Sequence, residues 1–256
     1  MSFTVDAAAV HGVVLRNYRV FLRTWKSTTA LSVVDPVIAL LGFGFGFGAL
    51  VAKVGGIDYI EFVGTGIVAQ TLLFTSIFPG MFETFFKRDY QHTYDALLAA
   101  PVDPVDLVTA EALWLAAKSA VYGLAPLLVA ICFGLDPKPA MLLVPLYGLV
   151  TAFGFACVGI MIAANATSFA SFDYVISMLV TPLFLFAGTF FPLGGLPRWV
   201  QLAAQANPLF HTVELIRHAA FGLQPLVDLG HLGYLIAFGL LVWALASWRM
   251  RISLVK

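Results

Sequence analysis

Charge is scarce in this chain. Of its 256 residues only 11% are Asp, Glu, Lys or Arg, and fourteen basic residues cancel fourteen acidic ones. Soluble domains carry about 25% charged residues. Zero net charge supplies no global field to recruit nucleic acid. Cysteine is nearly absent. Cys132 and Cys157 sit in apolar runs without metal or redox spacing, which excludes a disulfide framework and leaves them as small buried residues. Catalytic constellations are missing: there is no G-x-S-x-G, no H-E-x-x-H and no cysteine nucleophile with a partner histidine, so no catalytic residue is expected. The histidines are scattered. His211 and His218 could share a helix face with Glu214, but no metal site is expected. No G-x-x-x-x-G-K-[ST] occurs, which excludes ATP hydrolysis by a P-loop in this chain. Internal repeats are absent as well.

What the chain has in excess is apolar surface. Hydrophobic residues make up 61% of it, and its mean hydropathy is +0.93. A soluble globule of this length could not hide so much, because much of any folded surface faces water; lipid removes the difficulty. A helix needs about 20 mostly apolar residues to cross the hydrocarbon core. Continuous runs fall at 31–52, 60–82, 107–134, 141–165, 174–192 and 229–249. They lack the alternation of barrel strands. The expectation is an all-α integral membrane protein of six transmembrane helices, with no cleavable signal peptide ahead of Leu31. With six spans, one side collects Arg16, Arg19, Arg23, Lys26, Lys87, Arg88, Arg249, Arg251 and Lys256, and the other only Lys53, Lys138, Arg198 and Arg217. The positive-inside rule then places both termini and the 83–106 loop in the cytoplasm.

Four segments stand out. Residues 1–30 form an N-terminal amphipathic interface helix, with Arg16, Arg19, Arg23 and Lys26 on one side and Val14, Tyr18, Phe21 and Trp25 on the other, suited to lie among lipid headgroups. The first span, opening the membrane domain 31–256, starts at Asp35-Pro36, read as N-cap and first helical residue. It then carries Gly42, Gly44, Gly46 and Gly48, whose spacing serves close helix packing or a substrate-lining wall. In the third span Glu111 and Lys118 lie near one helical face and need each other or neighbours as partners; a proton relay or substrate path is the sharper reading. The 83–106 loop is the most charged stretch. Its helix-forming content, about 84–100, stops at Pro101 and suits docking against a soluble partner. The region 188–228 breaks at Gly188, Pro192, Gly194, Gly195, Pro197 and Asn207-Pro208. Its short stretches, about 189–222, are expected to be re-entrant or interfacial at the outer face.

These residues resemble a family. Thr181-Pro182, Gly188, Phe191-Pro192, Leu196-Pro197, Trp199, Asn207-Pro208, Glu214, Arg217 and Gly222 look like the C-terminal signature of ABC type-2 transporter permeases. Thr93, Leu97-Leu98 and Pro101-Val102 look like that family's coupling-helix motif, although Asp89-Tyr90-Gln91-His92 stands where an Arg-Glu-x-Gly run is frequent. Asp35-Pro36 with Gly42, Gly44 and Gly46, and Glu111, Trp114 and Lys118, are similar to the nodulation protein J and daunorubicin-resistance branch. The resemblance covers about residues 12–250. It implies a half-transporter of the bacterial cytoplasmic membrane: two permease copies with two copies of a separate P-loop ATPase, ATP and Mg being bound by that partner, exporting a glycolipid, an oligosaccharide-lipid or a hydrophobic drug. Membrane lipids are further partners. The resemblance makes 84–100 the coupling helix. Lys87, Arg88, Asp89 and Asp95 would touch the ATPase at the rim, and Tyr94, Leu97 and Leu98 would fill its pocket. The 164–174 loop, with Asn165, Ser168, Ser171 and Asp173, is the fallback docking element. An ion- or proton-coupled secondary transporter is the alternative, disfavoured by the missing repeat. A membrane-embedded enzyme would need clustered titratable groups that the sequence does not show.

Overall fold

The structure, a computed structural model, describes residues 5–51 and 53–254; Lys256, counted in the orientation argument, lies outside them. Among the described residues all regular structure is helical except one two-residue hairpin, β1 (Lys53–Val54) paired antiparallel to β2 (Ile57–Asp58). The helices are α1 (Ala7–Gly48), α2 (Tyr59–Phe85), α3 (Thr93–Leu98), α4 (Pro104–Tyr122), α5 (Leu124–Cys132), α6 (Val144–Asn165), α7 (Ala170–Val175), α8 (Thr181–Leu185), α9 (Arg198–Gln205), α10 (Pro208–Phe221) and α11 (Pro225–Leu254). Among the described residues five stretches are long and apolar enough to cross a bilayer: Ala7–Gly48, Tyr59–Tyr90, Pro104–Cys132, Pro139–Asn165 and Pro225–Leu254. This is an all-α multi-pass membrane protein.

α2 is the axis of the bundle. Nearly every residue from Phe62 to Ile77 is buried, as a helix apolar on all sides requires. It packs most extensively on α6, at a crossing of two glycines. A Cβ on Gly159 would lie 2.4 Å from the Ile77 carbonyl oxygen, and one on Gly80 2.8 Å from that of Ala156. Only hydrogen fits there, so the backbones themselves are in contact. Around this pair stand α1, α4, α10 and α11. α1 and α11 turn Val34, Ile38, Phe45, Leu240, Leu241 and Leu245 outward. An exposed apolar surface of that extent on long helices is a lipid-facing one.

Two expectations are corrected. The boundary expected at Asp35-Pro36 is absent. α1 is one helix of 42 residues, Asp6 is its N-cap, accepting from the Ala8 N–H, and Pro36 lies inside it. Residues 7–34 contain no proline and a single glycine, Gly12, which the helix tolerates, and a proline within a long apolar helix costs a hydrogen bond without ending the helix. Asp35 therefore caps nothing. It lies on the wall of a groove of about 670 Å³ between α1 and α2, with Gln70 and Thr71 opposite. The run expected at 174–192 forms instead an apolar helix at Ala170–Leu185, with a π turn at Ile176–Val180, and becomes irregular from Phe186. Its 16 residues rise only about 24 Å, short of a hydrocarbon core of about 30 Å. Pro182 sits in its last turn, and Gly188 adopts φ +79°, a left-handed conformation that turns the chain aside.

Candidate functional site

The loop between α2 and α4 collects most of the polar side chains that the sequence marked. α2 does not stop at Phe85 but widens into a π turn, Phe86–Tyr90. One extra residue per turn shifts side-chain direction, and the two basic residues leave on different bearings. Lys87 reaches α4, with its Nζ 2.9 Å from Glu111 Oε2 and 3.9 Å from Glu83. Arg88 reaches the other side. It donates to the carbonyl oxygens of Ala163 (2.8 Å) and Ala166 (2.7 Å) and to Ser253 Oγ (3.1 Å). Those carbonyls belong to the C-terminal end of α6, where backbone acceptors lack helical partners and the dipole favours a cation.

Glu111 and Lys118 do not pair with each other. Each bonds across to the end of α2, Glu111 to Lys87 and Lys118 to Glu83 at 3.5 Å. The result is a chain of alternating charges, Lys118–Glu83–Lys87–Glu111, whose innermost member is nearly sealed: the Glu111 side chain is 3% exposed. Burial of such a carboxylate is tolerable only with a bonded cation.

Beyond the π turn His92 takes φ 50°, which reverses the chain into α3. The single helix expected over 84–100 is therefore three pieces: the end of α2, the π turn and α3. Tyr94 is also corrected. It is 1% exposed and packed in this chain's own core, so it anchors α3 to the bundle and is not free to enter another protein. Burial, with Glu111 and Glu83 nearby, pushes its phenol well above the usual range. Leu97 and Leu98 are half-buried, whereas His92, Asp95, Ala96, Ala99 and Ala100 are exposed. Lys87 and Arg88 point inward, and Asp89 accepts from Arg88 Nε at 2.6 Å. After Pro101, Asp103 and Asp106 form a capping box that starts α4 at Pro104. Asp106 also accepts the Asp6 N–H at 2.8 Å and Asp103 an Arg251 donor at 3.2 Å. The loop is thus tied to α1, α4, α6 and α11.

The 165–174 segment adjoins this surface directly. Phe169 packs on Phe85 and stacks on Tyr90, with ring centroids 4.9 and 5.4 Å apart, and Asn165 bonds Arg249. The two segments the sequence marked for docking therefore adjoin. Elsewhere on this end, Arg19, Arg23 and Lys26 on α1 are exposed and Arg16 is half-buried. Gly42 and Gly46 have open space where a Cβ would stand, whereas Gly44 lies against Ile60.

At the opposite end the marked residues mend the broken helix. Asn207 Nδ2 donates to the Leu183 carbonyl at 2.6 Å, and Arg217 to that of Gly188, also at 2.6 Å. These are the carbonyls left over where α8 ends. Asn207 also caps α10, with Pro208 as its first residue. Pro192 opens a short 3₁₀ turn. The Arg217 guanidinium lies 3.9 Å from the centre of the Phe62 ring. His211 pairs with His231 at 2.6 Å and His218 with Asp228 at 2.5 Å. Among the described residues no group of three or more side chains is placed to hold a metal ion. The sequence did not single out His231, Asp228 or Arg88's carbonyl acceptors, which become neighbours only through tertiary packing.

Comparison with known proteins places this arrangement. Residues 9–221 match the family model described as "ABC-2 type transporter". The chain belongs to the ABC-2 type transporter family. Nodulation protein J of Sinorhizobium fredii is 32% identical over 208 residues, covering 80% of this chain and 78% of that protein. Nodulation protein J of Rhizobium leguminosarum bv. trifolii is 29% identical over 242 residues, 94% of this chain and 92% of that protein. The inner membrane transport permease YadH of Escherichia coli is 23% identical over 229 residues, 88% and 89% of the two chains. As a member of the ABC-2 family the chain is the membrane permease component of an ABC transporter, a component that works with a separate ATPase subunit.

Proposed function

We propose that this permease exports an amphipathic or lipid-linked substrate, working as two copies, each driven by one ATPase subunit that binds ATP and Mg. The observation that carries the reading is the fastening of the 86–100 loop to α4, α6 and α11 through Lys87, Arg88 and Tyr94. A loop so fixed moves only with the spans it is tied to, and can convert a push from outside into their displacement. The docking face is Asp95, Ala96 and Leu98 of α3 with Ala99 just after it, continued by Tyr90 and Phe169. Lys87 and Arg88 serve as internal fasteners in place of the rim contacts expected of them. The short helix Ala170–Leu185, extended by residues 186–192, makes the sixth crossing, α9 and α10 dip into the outer leaflet, and both termini lie in the cytoplasm of a bacterial inner membrane. The first part of α1 rests in the headgroup region. Open space at Gly42 and Gly46 favours contact with the second copy, and the α1–α2 groove with Asp35 and Gln70 favours a path for polar groups.

The test substitutes Ala96→Arg and Leu98→Asp together. Filling a docking face and burying a charge in it costs about 2 kcal/mol or more at a central position, so ATPase copurification is expected to fall at least about tenfold at unchanged membrane abundance. Normal transport and normal copurification would move the docking site elsewhere.

A further inference from the structure

A cavity of about 210 Å³ opens at the loop end of the bundle, between the first half of α1, the end of α2 and the middle of α4. Three cations line it: Arg16 from α1, Lys87 from the π turn and Lys118 from α4. Two carboxylates answer them. Glu83 lies on the same wall, near Lys87 and Lys118, and Glu111 is taken by Lys87 at 2.9 Å. Among the described residues no carboxylate stands within ion-pair distance of Arg16, so the site carries one positive charge in excess. The Arg16 guanidinium donates instead to Asn17 Oδ1 at 3.1 Å, which fixes the amide with its NH₂ group away from Arg16.

That amide is the second, independent observation. Asn17 is 5% exposed, lines the cavity, and its Nδ2 has no acceptor among the described residues. A buried donor left unmatched is costly; Nδ2 is closed off from the cavity as it stands, so an acceptor bound there meets it through a small rotation of the Asn17 side chain. The other wall is apolar, where Phe21 packs on the Trp114 ring with centroids 5.6 Å apart. Outside the cavity the same stretch of α1 exposes Tyr18, Leu22 and Trp25 beside Arg19 and Arg23, which is how an interface helix meets lipid.

We propose that this cavity binds a phosphate group, held by Arg16, the Asn17 amide and Lys118, with Trp114 and Phe21 flanking what is attached to it. An oxyanion supplies the acceptor Asn17 lacks and balances the excess charge by charge-assisted hydrogen bonds. The apolar wall and the exposed aromatic face of α1 favour the headgroup of an anionic phospholipid over free phosphate. Because Lys87 belongs to both this cavity and the coupling loop, an occupied site stiffens that loop. The inference needs neither the ATPase nor the export reading, only that α1 touches lipid.

The full-length permease is purified in detergent, and bound phosphatidylglycerol is counted by native mass spectrometry after titration with that lipid, with phosphatidylcholine as the neutral comparison. The wild type is expected to retain one phosphatidylglycerol in preference to phosphatidylcholine. Arg16→Gln and Asn17→Leu should each lower that retention about tenfold, since each removes a charge-assisted bond. Arg16→Lys should keep most of it, and Lys53→Gln, at the far end of the bundle and outside the cavity, all of it. Competition by millimolar inorganic phosphate that empties the site at equal efficiency would assign it to the free ion, with the same residues. Equal lipid retention by wild type, Arg16→Gln and Asn17→Leu, with all three monodisperse and no protection by phosphate, would overturn the proposal.

Discussion

Arg88 donates to two carbonyls at the end of α6 and to a hydroxyl on α11, a set of acceptors that suits a planar guanidinium and not an ammonium. Arg88→Lys is therefore expected to behave like Arg88→Ala. Both should lower the melting temperature of the purified permease and weaken ATPase copurification. With at least two charge-assisted bonds lost, each contributing about 1.5–3 kcal/mol, the change should be plain in a thermal melt. Full rescue by lysine would show that charge alone suffices. Glu111 offers a sharper contrast. Its side chain is 3% exposed, and among the described residues its one bonded cation is Lys87. Lys87→Met strands that carboxylate, at a cost of about 3–5 kcal/mol, whereas Lys87→Met with Glu111→Leu removes both charges and should recover most of it. The check is a double-mutant cycle on thermal stability. Additive losses would mean that the two residues act independently.

Among the elements, the α2–α6 crossing depends on hydrogen at two positions. Gly159→Leu forces a side chain against the Ile77 carbonyl and the Gly80 backbone, and is expected to abolish monodisperse protein, while Gly42→Leu, with open space around it, should leave the isolated permease intact. The π turn makes a second prediction. Deleting Asp89 restores four-residue spacing and rotates the chain from Tyr90 onward by about 100°, which withdraws Tyr94 from the core. Such a deletion should cost more ATPase binding, measured by copurification, than Asp89→Ala. The five long helices were legible in the sequence because each is a long apolar run, and so were Asn207-Pro208 as a break between helices and Pro101 as a stop. What the sequence concealed has a common cause. Asp35-Pro36 resembles a helix start, yet whether it begins a helix depends on the 28 residues before it in α1. Tyr94 looks like an exposed anchor because its burial depends on how α2 and α4, the helices on either side of it in the chain, fold back around α3. A π turn has no composition of its own; its extra residue is visible only once both ends of the helix are fixed by packing.

For the whole molecule, the proposed pairing of two copies puts the contact at the open glycines of α1, where a Cβ meets nothing. Cysteines placed singly at Gly42 and Gly46 are expected to cross-link two copies in membranes, while one at Gly44, closed off by Ile60, should not. The reverse pattern would put the copy-to-copy contact on another helix. The fastening has a further consequence in time. Arg88 is made early, but one of its acceptors lies 75 residues later, another 78 and the last 165. At a synthesis rate of about 5–20 residues per second, the guanidinium waits about 8–33 seconds for Ser253 to emerge. A growing chain that has not yet reached Ser253 thus holds Arg88 by the two α6 carbonyls alone, and the tie between the loop and α11 is the last of the three to form.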